Sequence, residues 1–128
     1  MPEKAQFIID GRKCVSLAAT AEEFTRALRV TSPWHGNLDA LNDILNGGFG
    51  TPDEGFTLLW EFSATARQGL GHEETAKWLI ERRDHCHPTN RHVFEEWLTN
   101  AQQGPGRTLF DEIVEIIEDH EDIELRLQ

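Results

Sequence analysis

The chain has 128 residues, which suits one domain with a single hydrophobic core, and its 38% hydrophobic and 27% charged residues are typical of a folded globular protein. It carries 23 acidic residues against 12 basic ones, for a formal net charge of −11, which is the wrong sign for binding nucleic acid or an anionic membrane surface. We therefore predict a single domain over residues 1–128 with no nucleic acid and no membrane as a partner.

The first elements along the chain are a strand and a helix. Phe7-Ile8-Ile9 is a short apolar run that ends at the turn signal Asp10-Gly11, which indicates a strand. Thr20-Ala21-Glu22-Glu23 has the spacing of a capping box. It predicts a helix from this point to about Arg29.

A short second helix and a second strand follow. Asn37 is suited to cap a helix over residues 38–46, and Gly47-Gly48 provides a natural stop. Phe56-Thr57-Leu58-Leu59-Trp60 is a nearly continuous apolar run, which is typical of a central strand buried on both faces. Such a strand favours a parallel sheet.

The middle region, residues 65–107, is neutral in charge and predicts two further helices. The first runs over residues 72–83 with Ala76, Leu79 and Ile80 facing inward. The second has an apolar stripe formed by Val93, Phe94, Trp97, Leu98 and Ala101. Residues 87–90 form the turn between them, and residues 103–106 form a closing loop.

The chain ends with a helix and a strand. Apolar residues recur at helical spacing over residues 109–117, and they alternate with polar residues over 123–127. Three strands separated by helices predict an α/β fold with a small parallel sheet covered by helices.

Two further features bear on location. No apolar run has the length of a signal peptide or a membrane span, and residues 1–4 lack the cationic region that would precede one. Cys14 and Cys86 are too few and too far apart to form a disulfide framework, which fits reduced thiols. We predict a cytoplasmic protein without a structural disulfide.

The acidic excess is concentrated in two segments. Residues 30–66 hold five acidic and no basic residues, and residues 108–128 hold eight acidic and one basic residue. If the two segments meet in space, they form a negative face that attracts a basic partner, more weakly as salt rises. Charge alone favours the simpler interpretation, a solvated acidic surface that keeps the protein soluble.

The helix over residues 38–46 offers a more specific feature. Its apolar side chains share one side, Leu38, Leu41, Ile44 and Leu45. This leaves Asp39, Asn42 and Asp43 as neighbours on another face. Asp43 falls in the last turn, where the helix dipole and the repulsion from Asp39 both oppose a negative charge. The pattern is therefore either an ordinary polar face or one kept for binding.

These residues resemble a known family. The run Trp34-His35-Gly36-Asn37-Leu38-Asp39-Ala40-Leu41-Asn42-Asp43-Ile44-Leu45 is similar to the barstar family of ribonuclease inhibitors. Residues 8–11, 56–60 and 122–125 continue the resemblance, which covers the chain except for an insertion at 65–107. It implies a three-stranded parallel sheet flanked by helices, with the insertion as extra helices before the last helix and strand.

The resemblance also implies a function. The chain would be a protein inhibitor that blocks a basic, barnase-like ribonuclease with an acidic helix face mimicking RNA phosphate, without catalysis, cofactor, metal or small-molecule substrate. Asp39 and Asp43 match the two helix aspartates that contact the nuclease, and Asp43 matches the one in the phosphate site. Trp34 resembles the aromatic residue that covers the catalytic histidine, and Glu115 matches a further acidic contact. Asn42 replaces a tryptophan of the best-known member.

Three alternatives compete with this interpretation. Asp84, His85, Cys86, His87 and His92 are zinc-ligand types within nine residues, but a polar turn explains them better because no C-x-x-C or H-E-x-x-H motif accompanies them. Catalysis by the carboxylate pair, or by the cysteine with a histidine, is disfavoured because no motif supplies a third catalytic group. A family member that binds a non-nuclease protein through the insertion stays open.

Overall fold

A three-stranded parallel sheet lies at the centre of the fold, as predicted. Its strands are β1 (Ala5–Asp10), β2 (Phe56–Glu61) and β3 (Ile123–Leu127), with β2 in the middle. Ile9 of β1 lies beside Trp60 of β2, and Phe56 of β2 lies beside Ile123 of β3. Parallel neighbours need crossover connections, which the helices supply. The structure is a computed structural model that describes residues 5–30, 34, 37–46, 55–103 and 107–128.

Six α-helices in the described residues flank this sheet. Two precede β2, α1 (Leu17–Leu28) and α2 (Leu38–Asn46). Four lie between β2 and β3, α3 (Ser63–Gly69), α4 (His72–His85), α5 (Arg91–Gln103) and α6 (Leu109–Glu118). Short 3-10 turns occupy Gly11–Lys13 and Pro88–Asn90. Within the described part of the chain, no helix is long and apolar enough to cross a membrane.

The core forms where α1, α2 and α6 cover the sheet. Trp60 is fully buried on the central strand, and its ring lies 5.2 Å from that of Phe24 on α1 and 4.9 Å from that of Phe110 on α6. The apolar run of β2 is buried at Phe56, Leu58, Leu59 and Trp60. This confirms the prediction of a central strand that is covered on both faces.

The predicted start of α1 is wrong. The helix begins at Leu17, and the Ser16 side chain caps it by accepting a hydrogen bond from the Ala19 amide at 3.1 Å. Thr20 lies one turn inside the helix, where its hydroxyl donates to the Ser16 carbonyl at 2.7 Å. Serine suits a cap because its side-chain oxygen satisfies an amide that has no partner within the helix. The helix ends at Leu28, near the predicted end.

Glu23 ties α1 to β1. Its side chain is 1% exposed, and its carboxylate accepts hydrogen bonds at 2.7 Å from the Asp10 amide and from the Arg26 guanidinium. Burial acts to raise the pKa of this carboxyl, but these hydrogen bonds and the charges of Arg26 and Lys13 outweigh it and hold the pKa below its usual value. Glu23 therefore stays charged inside the fold.

The predicted helices of residues 65–107 are present as α4 and α5, which pack against each other. Leu79 and Leu98 are buried between them, and the rings of Trp78 and Trp97 meet edge to face at 5.4 Å. The short helix α3 was missed.

The inward positions predicted for Ile80 and Val93 are wrong, because both side chains are exposed. The other inward positions predicted in the described residues are confirmed, and Trp78 joins them: Ala76, Leu79, Phe94, Trp97 and Leu98. Predictions for Gly47-Gly48 and for the loop at 104–106 lie outside the described residues, as do statements on the Ala101 side chain.

Candidate functional site

Helix α2 is held firmly at its N-terminus and along its buried side. The Asn37 side chain accepts hydrogen bonds from the amides of Asp39 at 3.0 Å and Ala40 at 3.3 Å, which is the predicted N-cap. Leu41, Ile44 and Leu45 are at most 3% exposed and pack into the core. Side chains on the opposite face of α2 are therefore presented by a fixed backbone.

That opposite face carries Asp39, Asn42 and Asp43, and all three are exposed. No Lys, Arg or His nitrogen of residues 5–30, 34, 37–46, 55–103 or 107–128 lies within 4.0 Å of either aspartate carboxylate. By contrast, Asp10 and Glu124 each have an arginine within 3.0 Å. The two carboxylates on α2 are therefore open to a cation from outside the chain.

Asn42 connects this face to the end of α6. Its side-chain oxygen lies 2.8 Å from Nε2 of His120, just after α6. Helix α2 also packs directly against α6. The two acid-rich segments of the sequence are thus in contact, which was the condition for a shared negative face. His120 was missed as a candidate because the sequence gives no sign that it meets a residue 78 positions away.

A cleft of about 270 Å³ borders the acidic face of α2. Asp39 lines it together with Arg82 of α4 and Glu112 of α6. The Arg82 guanidinium lies 5.1 Å from the centre of the Trp78 ring and 5.8 Å from that of Phe94. Helix α4 therefore forms one wall beside Asp39, a role that the sequence did not reveal for Arg82. The i,i+4 spacing of Trp78 and Arg82 was the one available signal.

Glu115 is placed differently from the aspartates of α2. Its side chain is about half exposed on α6 and forms an ion pair with Arg107, which also pairs with Glu112. It lines a neighbouring depression with Arg67 and Glu118, not the cleft that Asp39 lines. The structure therefore brings Asp39, Asn42 and Asp43 together on one helix and sets Glu115 apart, with its charge already paired.

Trp34 lies in the core. It is 2% exposed, and its ring packs edge to face against Phe24 with the ring centres 5.9 Å apart. This packing supports the approach to α2. The contact of Trp34 with a partner stays a prediction.

Two of the zinc-ligand types around the end of α4 are engaged in local hydrogen bonds. Nδ1 of His85 lies 2.7 Å from the Glu81 carbonyl, and Nδ1 of His87 lies 2.8 Å from the Thr89 hydroxyl. Among the residues whose placement the structure gives, no three His, Cys, Asp or Glu side chains are grouped to hold a metal ion. The hydrogen bonds are those expected of a polar turn between two helices.

Comparison with known proteins identifies the family to which the chain belongs. Residues 4–103 match the family model described as Barstar (barnase inhibitor). The chain belongs to the barstar family. Barstars are inhibitors and not enzymes, and the family binds barnase-type ribonucleases as protein partners. No curated protein matched the chain.

The extent of the barstar match differs from the extent of the resemblance seen in the sequence. The match includes Asp39, Asn42 and Asp43, and it also includes most of the 65–107 region that was interpreted as an insertion. It stops before α6 and β3, so Glu115 lies outside it. The fold of this barstar nevertheless requires both elements, because β3 completes the sheet and α6 covers it.

Proposed function

We propose that this barstar inhibits a basic, barnase-like ribonuclease by covering its active site with the acidic face of α2. Asp43 takes the place of an RNA phosphate, and Asp39 and Asn42 contact the nuclease beside it. One observation supports this most directly. Asp39 and Asp43 are exposed on an anchored helix, and neither has a counter-ion within 4.0 Å in the described part of the chain.

The chemistry of a ribonuclease suits such a surface. Its active site presents Lys and Arg for the phosphate and a His for proton transfer, so a carboxylate can accept the same charge-assisted hydrogen bonds. A fixed helix loses little conformational freedom on binding, which lowers the cost of association. The unpaired negative charges also attract a basic nuclease from a distance and speed its capture.

We propose that the inhibitor acts in the cytoplasm. There it protects the cell, either from its own ribonuclease before that enzyme is secreted or from a ribonuclease delivered as a toxin. An inhibitor with this task must bind before the enzyme reaches cellular RNA. The electrostatic attraction described above serves that purpose, since it raises the rate of encounter.

The test is inhibition of RNA cleavage by Asp43→Ala and by a matched control. The nuclease is the one encoded beside this gene, or a barnase-like enzyme, and the control is Glu22→Ala, which removes one exposed negative charge on α1. We expect Asp43→Ala to weaken binding by about 2–5 kcal/mol, or roughly 30- to 5,000-fold in the inhibition constant. Charge pairs of the barnase–barstar complex are an example of such large effects.

Salt and the control separate the mechanism from a general loss of charge. Wild-type inhibition should weaken as salt rises, and Glu22→Ala should change the inhibition constant less than about twofold because its charge lies outside the interface. Thermal unfolding of each variant checks that it folds. If Asp43→Ala inhibits as tightly as the wild type, the site is wrongly assigned.

A second candidate is an interaction domain for a protein that is not a nuclease. A groove of about 520 Å³ favours it, because half-buried Trp78 and Phe94 line this groove where α4 and α5 face α1. Failure of the wild type to inhibit any barnase-like nuclease would favour this candidate. Phe94→Ala separates the two functions, because it alters the groove and leaves the acidic face of α2 intact.

A further inference from the structure

Arg107 lies against the acidic surface of α6. Its Nε donates to the Glu112 carboxylate, and its Nη2 pairs with Glu115 one turn further along the helix. Glu112 and Glu115 are three residues apart, so one guanidinium spans both. Two negative charges at this part of the surface are therefore held by a cation of the chain itself.

The carbonyl of Arg107 and the residue that follows it are both held in place. The Trp97 indole of α5 donates a hydrogen bond to the Arg107 carbonyl at 3.0 Å. The next residue, Thr108, caps α6 through a reciprocal pair of hydrogen bonds with Asp111. The Arg107 carbonyl is bound to α5, and the next residue caps α6. These contacts place the Arg107 side chain over the first turns of α6.

We propose that Arg107 masks Glu112 and Glu115 from a basic partner, so that the partner's cations gain more at the exposed carboxylates of Asp39 and Asp43. This inference rests on the proposed function and assigns Arg107 as a residue that limits affinity and selects the partner. A nuclease cation that approaches Glu115 must displace Arg107 or leave the pair intact. At the carboxylates of α2, no cation from the part of the chain that the structure describes has to be displaced.

The masking implies that the acidic surface of α2 and α6 favours partners whose basic residues lie opposite Asp39 and Asp43. A nuclease with further basic residues opposite α6 gains little from them while Arg107 is in place. Removing Arg107 exposes both carboxylates, and the inhibitor then accepts a wider range of basic surfaces. Through the hydrogen bond between Trp97 of α5 and the Arg107 carbonyl, the paired helices α4 and α5 contribute to partner choice.

The first test compares Arg107→Ala with Arg126→Ala as inhibitors at low salt. Each substitution removes one positive charge, and Arg126 is an exposed residue of β3 that pairs with Glu124 at 3.0 Å. We expect Arg107→Ala to lower the inhibition constant about two- to fivefold, the scale of an exposed ion pair, and Arg126→Ala to change it less. Adding Glu115→Gln to Arg107→Ala should remove most of the gain.

The second test needs no nuclease, so the two proposals can fail separately. A hexalysine peptide should bind Arg107→Ala more tightly than the wild type by a similar factor, and Arg126→Ala should gain less because it frees one carboxylate and not two. If the wild type inhibits a nuclease but Arg107→Ala improves neither inhibition nor hexalysine binding, the masking is refuted and the proposed function stands. If no nuclease is inhibited but hexalysine binding improves more in Arg107→Ala than in Arg126→Ala, the masking stands and the proposed function fails.

Two controls show whether the loss of the Arg107 ion pairs causes these effects. Arg107→Gln keeps a polar side chain and should reproduce Arg107→Ala, because neither residue carries the charge that pairs with Glu112 and Glu115. The NMR signal of the Arg107 Nε–H group should shift in Glu112→Gln, and the corresponding signal of Arg126 should not. An Arg107 signal unchanged in this variant would show that the pair does not form in solution, which also refutes the masking.

Discussion

Glu23→Gln is the substitution whose effect on stability follows most directly from the structure. The Glu23 carboxylate is buried and accepts three hydrogen bonds at 2.7 Å, one from the Asp10 amide and two from Arg26. Lys13 adds a positive charge at 3.9 Å. Glutamine has the same shape, but it removes the negative charge and turns an NH2 group toward groups that are themselves donors.

The expected loss is about 2–3 kcal/mol in the free energy of unfolding. A hydrogen bond to a charged group contributes roughly 1.5–3 kcal/mol, but Arg26 and Lys13 are more than half exposed and recover hydration when Glu23 is neutral. The Asp10 amide keeps one weaker acceptor. In a domain of this size, the loss lowers the melting temperature by roughly 6–15 °C. The neighbouring Glu22→Gln, on the exposed side of α1, should change stability by less than about 0.5 kcal/mol.

The pH dependence gives an independent check. The pKa of Glu23 is lower in the folded chain than in the unfolded chain, because its hydrogen bonds and the nearby positive charges outweigh the effect of burial. Its contribution is therefore complete above the unfolded pKa of about 4.3 and is lost as pH falls through the folded pKa. The difference between wild type and Glu23→Gln should be constant at pH 5–7 and shrink below that range.

Urea unfolding of wild type, Glu23→Gln and Glu22→Gln at pH 7, 5, 4 and 3 measures both effects. Two results would refute the reasoning. One is a loss at pH 7 below about 0.5 kcal/mol, which would mean that the carboxylate charge is not used. The other is a difference in the free energy of unfolding between wild type and Glu23→Gln that stays the same down to pH 3. It would mean that the loss comes from altered packing and not from the ionisation of Glu23.

Three further substitutions test the support of the site. Asn37→Ala removes the N-cap of α2 and should cost about 1 kcal/mol in urea unfolding, against less than about 0.5 kcal/mol for exposed Asn46→Ala. Thr75→Val removes the acceptor of the buried Leu109 amide at 2.8 Å and should cost about 1–3 kcal/mol, with faster hydrogen exchange at that amide. Trp34→Ala should cost about 3–5 kcal/mol in stability. Inhibition per folded molecule tests its predicted partner contact, because an inhibition constant equal to that of the wild type would show that Trp34 acts only in the core.

Strands and the helices with strong periodicity could be predicted from the sequence. The apolar run at 56–60, the alternation at 123–127 and the stripe at 109–117 each fix the exposure of several side chains at once, so the local signal is large. The start of α1 was missed because two cap signals, at Ser16 and Thr20, lie one turn apart. Choosing between them depends on which side chains the sheet buries.

The interior of the helical pair shows the same limit. The predicted stripes correctly included Leu79, Phe94, Trp97 and Leu98, but they also included Ile80 and Val93, which are exposed. The ring of Trp78 packs against this cluster. The periodic pattern of apolar residues fits equally well if the helix is rotated by one residue about its axis. The packing of α4 against α5 fits only one rotation, and the sequence does not show how the two helices meet.

The candidate site was predictable only where its residues share one helix. Asp39, Asn42 and Asp43 lie on one face because of α2's periodicity, and the structure confirms their exposure. His120 and Arg107 come from distant parts of the chain, and only the packing of α6 against its neighbours places them on the acidic surface. Trp34 precedes the helix in the sequence, but its burial depends on Phe24 of α1.

The acidity of the chain has different uses on the two helices that meet at this surface. On α6, Asp111 is used in the cap of the helix, and Glu112 and Glu115 are paired with Arg107, so a partner that approaches them must first break contacts within the fold. On α2, the carboxylates have no ion pair to lose among the described residues, and the helix already bears the cost of placing Asp43 near its C-terminal end. A charge that is unfavourable in the fold and has no ion pair within it indicates a binding site better than net charge does. A cationic partner that binds such a charge does not first have to break an ion pair within the protein.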